Sequence, residues 1–271
     1  MHPSLRSVTL LFAALLAAAL LVLPASHATA AKLQRQIKAQ WIVTWAGLPV
    51  YEANIQASIQ AGRYAASFRA RSRGILDLAA RLRTQFRTEG RVAGKVLKPE
   101  RVHQRYGLKR GGHRMVLMSW QANGAVRTRI VPPESPGKRK PVPPALRRAT
   151  EDPITATLNG LMAPRKGPPC TYAARVFEGR RLADFRLSLV GRARTPGVFV
   201  GKLPKKSLVC LLHARRLAGF RDRHMRQVPV LKPARVWIVR LKQYRIWLPV
   251  QLEFQTRYGI ARARLAALKL Q

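Results

Sequence analysis

In Tyr51-Glu52-Ala53-Asn54-Ile55-Gln56-Ala57-Ser58-Ile59-Gln60, apolar and polar residues alternate without a break. Successive side chains of a strand point to opposite faces, so such a segment has one apolar face and one polar face. The pattern recurs along the chain. Tyr64, Ala66, Phe68 and Ala70 follow a turn at Ala61-Gly62. Phe185, Leu187 and Leu189 alternate with Asp184, Arg186 and Ser188. Tyr244, Ile246, Leu248, Val250, Leu252 and Phe254 alternate with Arg245, Trp247, Pro249, Gln251, Glu253 and Gln255. Half-buried strands of this kind suit an antiparallel sheet covered on one side only.

Gly111-Gly112, Asn123-Gly124, Glu178-Gly179 and Tyr258-Gly259 fall between such runs and read as hairpin turns. Met115 to Trp120, then Val126 to Val131, is the clearest hairpin. Two stretches read as helices. Ile75, Leu78, Ala79 and Leu82 have the spacing of one helical face. Asp152-Pro153 opens Ile154 to Met162 with a capping acid and a proline at the first helical position. Both helices are short and are expected to plug or cover the sheet. Pro132 to Ala149 holds six prolines together with Lys138-Arg139-Lys140 and Arg147-Arg148, and reads as a loop. It marks the one plausible boundary between halves, and no repeat crosses it. The expectation is one β domain over residues 31–271.

Residues 1–30 read as a signal peptide. Arg6 precedes the apolar run Leu10 to Leu23, Pro24 breaks it, and Ala28-Thr29-Ala30 supplies an A-x-A exit. The run is shorter than the ~20 residues of a spanning helix. Cleavage after Ala30 would deliver the chain to the periplasm. There Cys170 and Cys210, an even count with no C-x-x-C and no His at ligand spacing, read as a disulfide. Closing a loop of that size is worth ~4 kcal/mol in the chain-entropy model.

The 271 residues hold 51 Lys and Arg against 11 Asp and Glu, a net charge of +40. Such a field collects polyanions. Export argues against nucleic acid and for envelope lipid or polysaccharide. A nucleic-acid binder remains the reading only for a chain that keeps its leader and stays in the cytoplasm. The abundance of Arg over Lys is also what a GC-rich genome produces on a solvated surface. Arg69, Arg71 and Arg73 share one strand face, as do Arg127 with Arg129 and Arg262 with Arg264. Alternate residues lie ~6.7 Å apart, so each like-charge pair costs roughly 0.6 kcal/mol in water. A folded domain tolerates that. If these strands are neighbours, the three ladders merge into one anion-binding surface. Trp41, Trp45, Tyr51, Trp237, Tyr244, Trp247 and Phe254 gather toward the chain ends and could line an apolar cavity if the terminal strands pair.

Catalytic and metal motifs are sparse. His103, His113, His213 and His224 form no H-E-x-x-H, and no G-x-S-x-G occurs. Gly197, Gly201 and Lys202 mimic a phosphate loop, but the glycine spacing is one short and Leu203 stands where a hydroxyl residue is required. Glu178 and Asp184 could meet as a carboxylate pair for glycan hydrolysis, with His213 a further candidate, although Arg180 and Arg181 between them favour local ion pairing. No metal, cofactor or catalytic residue is expected.

Several segments in order resemble an exported bacterial family, domain of unknown function 3108. They are Trp45 to Val50, Gly94 to Pro99, Val142-Pro143-Pro144 ahead of Asp152 to Ala156, Cys170, Val176 to Arg181 leading into Asp184-Phe185, Cys210 with Ala218-Gly219-Phe220, and Pro249 to Glu253 ahead of Tyr258-Gly259. The resemblance covers most of residues 40–270. It implies a periplasmic, mainly β protein of one domain: a curved, largely antiparallel sheet, an open barrel or spiral wrapped around a short helix, as in envelope lipid carriers. It implies no activity, and the Cys170–Cys210 pairing fits its pattern. The expected function is non-enzymatic binding of an anionic or amphiphilic envelope component: lipid, lipopolysaccharide or wall polymer. Peripheral membrane contact is part of that expectation. A glycan hydrolase using Glu178 and Asp184 is the alternative.

Overall fold

The computed structural model describes residues 35–107, 112–134, 139–162, 169–197, 203–221, 230–244, 246–256 and 259–271. The leader read at residues 1–30 lies outside them, as do Gly201, Lys202 and His224. The strands are β1 (Arg35–Trp45), β2 (Leu48–Gln60), β3 (Arg63–Ser72), β4 (Arg83–Ala93), β5 (Val96–Gly107), β6 (His113–Trp120), β7 (Val126–Val131), β8 (Ala173–Phe177), β9 (Leu182–Arg194), β10 (Lys206–Ala218), β11 (Val230–Leu241), β12 (Ile246–Thr256) and β13 (Gly259–Leu270). They form one sheet of 13 antiparallel strands in the order β7-β6-β5-β4-β3-β2-β1-β13-β12-β11-β10-β9-β8. Two meanders, β1 to β7 and β8 to β13, are joined where the first strand pairs with the last, from Ile37 opposite Leu270 to Trp45 opposite Ala261.

The period-two segments form strands, except that Tyr244 falls in a 3-10 turn before β12, and Leu189 and Phe254, read as part of an apolar face, are exposed. Ala53 and Ala57 of β2, Tyr64 and Ala66 of β3, and Ile246, Leu248 and Val250 of β12 are buried, while Asn54, Gln56, Ala65 and Arg69 are exposed. The sheet rolls up, but its edges β7 and β8 do not pair. Side chains close the seam instead. Phe177 of β8 and Leu182 of β9 share a core with Phe86, Val102, Val116, Met118 and Val126 of β4 to β7. The result is an open barrel with a packed seam rather than a hydrogen-bonded one.

Helix α3 (Pro153–Met162) fills the interior and touches β3, β5, β8 and β12, strands far apart in the sheet. Asp152 caps it as expected, its Oδ1 accepting the Ile154 amide at 3.0 Å and the Thr155 amide at 3.1 Å. Its Oδ2 accepts the Thr88 hydroxyl at 3.0 Å and also the Thr155 hydroxyl. Tyr64 hydrogen-bonds Thr155 at 2.6 Å, and Asn159 bonds both the amide and the carbonyl of Leu97. A helix with polar groups can therefore sit in a barrel because each finds a partner on the wall. Burial pushes the Asp152 carboxyl above its ordinary value, against the pull of its four hydrogen bonds.

Two expectations need correction. The helix read at Ile75 to Leu82 is α1 (Gly74–Ala80), which stops at Arg81 in a left-handed conformation. It does not lay its apolar face on the sheet: Ile75 is 70% exposed and Leu78 86% exposed. Helical spacing identifies an apolar stripe but not what covers it. The segment Pro132 to Ala149 is also more than a loop. It contains the one-turn helix α2 (Pro144–Arg147), and Val142 is buried in the seam core.

Cys170 and Cys210 are joined, with Cα atoms 5.6 Å apart. Both are buried among Val236, Ile238, Leu187 and Leu212, so the bridge ties the chain that follows α3 to β10. The terminal strands do pair, but the aromatic residues do not line one cavity. Trp41 and Trp237 pack in a shared core, Trp247 packs near the disulfide, and Trp45, Tyr244 and Phe254 are exposed.

Candidate functional site

The three arginine ladders share the outer face but not one patch. Registers place Arg71, Glu52, Ile42 and Arg264 in a single row across β3, β2, β1 and β13. The β13 ladder is thus separated from β3 by β2 and β1, and the β7 ladder by β4, β5 and β6. Their environments differ as well. Arg71 and Arg73 lie 3.0 and 3.2 Å from Glu52, while Arg262 pairs with Glu253 at 2.8 Å and Arg264 donates to Gln251 at 2.9 Å. Burial would raise the Glu52 carboxyl, but hydrogen bonds from Arg71, Gln40 and Asn54 outweigh it and hold the group below the usual range. Arg69, Arg127 and Arg129 form no ion pair among the described residues.

Arg127 and Arg129 gain neighbours that the sequence reading missed. Pairing puts Arg129, Leu117, His103 and Arg87 in one row, and Arg127, Ser119, Arg101 and Glu89 in the next. Together they line an open groove of about 650 Å³ on the outer face of β4 to β7. Only Arg101 is neutralised there, by Glu89. The available signal was Arg87 with Glu89 and Arg101 with His103, alternate positions and therefore one face of each strand.

A second cluster lies at the seam. The β8–β9 turn, Glu178 to Arg181, reaches over β5 and β6. A Cβ on Gly179 would stand 2.2 Å from Val116 Cγ1, and one on Gly219 would stand 1.9 Å from the Arg180 carbonyl oxygen. These two close approaches explain both glycines, each of which also has positive φ. Arg180 lies 4.8 Å from the centre of the Tyr106 ring and 2.6 Å from Glu134. Arg114 and Arg139 stand 3.6 and 3.7 Å from Glu134, and Arg181 pairs with Glu178 at 2.7 Å. Burial lowers the Arg139 pKa despite Glu134. These residues come from four separate segments, so no local motif announces them.

The seam shares one end of the barrel with a third feature. Registers bring the β1–β2 turn, the β12–β13 turn, α1 and the β8–β9 turn to that end. Of the eleven large apolar side chains exposed among the described residues, six project there: Trp45, Leu48, Ile75, Leu78, Phe254 and Ile260. Arg71, Arg73, Arg81, Arg83 and Arg262 lie at the same end. Against Glu52, Asp77 and Glu253, these five guanidinium groups leave an excess of two positive charges. Hydrogen bonds from Arg83 and Ser72 hold Asp77 down at about 2, so it stays ionised.

Glu178 and Asp184 are engaged with different arginines. Glu178 pairs with Arg181, and Asp184 accepts from Arg175 and Arg215, both at 2.9 Å. His213 Nε2 lies 2.8 Å from Ser188 Oγ. Among the described residues, no three His, Cys, Asp or Glu side chains are grouped to hold a metal ion.

The molecule is thus a mainly β, beta-barrel-like protein with a helix as its plug. Residues 40–266 match the family described as protein of unknown function (DUF3108), and the chain belongs to that family. A crystal structure of a beta-barrel-like protein of domain of unknown function DUF1849 from Brucella abortus is similar at 14% identity and a TM-score of 0.46, over 88% of this chain and 97% of that one. No curated protein matches the sequence.

Proposed function

We propose that this protein is exported to the cell envelope and works there without catalysis, docking one end of its barrel on an anionic lipid surface. The observation that carries this reading is that six exposed apolar side chains and five arginines fall at one end of the barrel. A large exposed apolar patch on a soluble domain marks an interaction site. Ile75, Leu78, Leu48 and Ile260 are aliphatic, which suits acyl chains rather than sugars, and the surplus of guanidinium suits acidic head groups. The leader and the disulfide both fit an oxidising compartment outside the cytoplasm.

Burying Ile75 and Leu78 would contribute about 2 kcal/mol each. Each uncompensated basic side chain near an anionic bilayer adds ~1 kcal/mol. The two parts separate experimentally. Flotation with phosphatidylglycerol vesicles should recover the protein, and phosphatidylcholine vesicles should recover much less. Ile75→Asp with Leu78→Asp should weaken partition at least ~100-fold. High salt should weaken it by the electrostatic part alone. Equal binding of the double variant and the parent chain would refute the apolar end as the docking surface.

A further inference from the structure

The seam cluster contains more hydrogen-bond donors and more positive charge than its own acceptors can absorb. Arg114, Arg139, Arg180 and Arg181 face Glu134 and Glu178, four cations against two anions, an excess of two. Only Arg180 bonds Glu134 at hydrogen-bond distance. The 3.6 and 3.7 Å separations of Arg114 and Arg139 are beyond it. Arg139 Nε is buried without a hydrogen-bond partner, and so is the Tyr106 hydroxyl under Arg180. Gln104 Oε1 and Thr128 Oγ1, on the same inward face of β5 and β7, are likewise buried and unpartnered. Arg114 is held in place by donating to the Pro132 and Pro133 carbonyls, and Arg139 by donating to the Gly219 carbonyl. Two guanidinium groups are thus anchored by backbone carbonyls, and Arg139 Nε is left without an acceptor. Buried donors left unpaired are costly, and a native fold keeps them where something accepts from them.

We propose that Tyr106, Arg114, Arg139 and Arg180 form a binding site for a phosphate-type oxyanion at the seam of the barrel. A tetrahedral phosphate has four oxygens and carries up to two negative charges, so it can accept from more N–H and O–H groups, and balance more guanidinium charge, than the two-oxygen, singly charged carboxylate of Glu134. The same chemistry could arrive as free phosphate or as the phosphomonoester of a lipid head group. The site uses different residues from the apolar group, although both lie toward the same end of the barrel.

The test is calorimetric titration of the full chain with inorganic phosphate, with chloride at matched ionic strength as the control. Saturable binding is expected. Arg139→Gln should weaken it at least ~10-fold, the loss of a charge-assisted hydrogen bond. Tyr106→Phe should weaken it too, and it keeps the ring beneath Arg180, so folding is preserved. The Ile75→Asp, Leu78→Asp chain should bind phosphate unchanged, so failure here and failure of membrane docking are told apart. Vesicles containing phosphatidic acid then distinguish the source. Loss of affinity for these vesicles in Arg139→Gln identifies a head group, and loss for soluble phosphate alone identifies a free oxyanion. Either result supports the site. No saturable binding above the chloride control, or equal binding by both variants and the parent, overturns it.

Discussion

Gly179→Ala tests whether the barrel is closed by packing across its seam. The added methyl would stand 2.2 Å from Val116 Cγ1, with the Met118 sulfur 3.3 Å away, and the backbone there has φ +89°. A left-handed conformation costs an alanine about 1–2 kcal/mol. Forcing an extra methyl group into a packed core costs about 1–3 kcal/mol more. Together the substitution should destabilise by roughly 3 kcal/mol, and a domain of this length loses ~2–4 °C of Tm per kcal/mol. Gly94→Ala is the matched control, since φ is +60° and nothing lies within 4 Å of the added carbon. It should lose only about 1 kcal/mol, the backbone part. Thermal unfolding followed by circular dichroism reads both. If Gly179→Ala melts with Gly94→Ala, the turn does not press on β6 and the packed seam is refuted.

Replacing Cys170 and Cys210 by Ser should lower stability by ~4 kcal/mol, and adding reductant to the parent chain should reproduce the loss in denaturant titrations. Asp152→Ala removes the cap of α3 and strands the hydroxyls of Thr88 and Thr155, with an expected loss of about 3–5 kcal/mol. The Asp152 pKa is raised by burial, so at pH values between its unfolded and folded pKa the fold holds a proton that the unfolded chain has released. That share of stability is complete below the ordinary value of 3.8 and disappears as pH rises through the folded value. Asp152→Asn should flatten this part of the stability–pH curve; an unchanged slope would remove Asp152 as its source. Asp184 is lowered by Arg175 and Arg215 against the effect of burial, so its contribution has the opposite sign and is lost on acidification. Asp184→Asn should show the smaller acid dependence in the same titration.

Much of the fold was legible because a strand writes its two faces into alternate positions. Ile246, Leu248 and Val250 could be assigned inward from the pattern alone. So could the start of α3, where Asp152 and Pro153 are local signals. What stayed illegible depends on distant segments. Arg180 and Glu134 are 46 residues apart, and no periodicity links them. The ladders at Arg71, Arg129 and Arg262 were visible as ladders, but their separation follows from strand order, which local sequence does not encode. Ile75 and Leu78 mislead for a related reason: a helical stripe is apolar whether it meets a sheet or faces outward.

Zipping the first strand to the last in mid-sheet has a consequence for assembly. A ribosome releases β1 long before β13, yet β1 needs β13 to complete its ladder on one side. Until then the N-terminal meander presents a raw lateral border, and such borders recruit foreign strands. Completion therefore waits for the final dozen residues, and a chain truncated before Gly259 should keep its two meanders unjoined and prone to clumping. The same adjacency makes the domain a candidate for rewiring: linking the start of β1 to the end of β13 and cutting between β7 and α2 would leave every rung of the ladder intact.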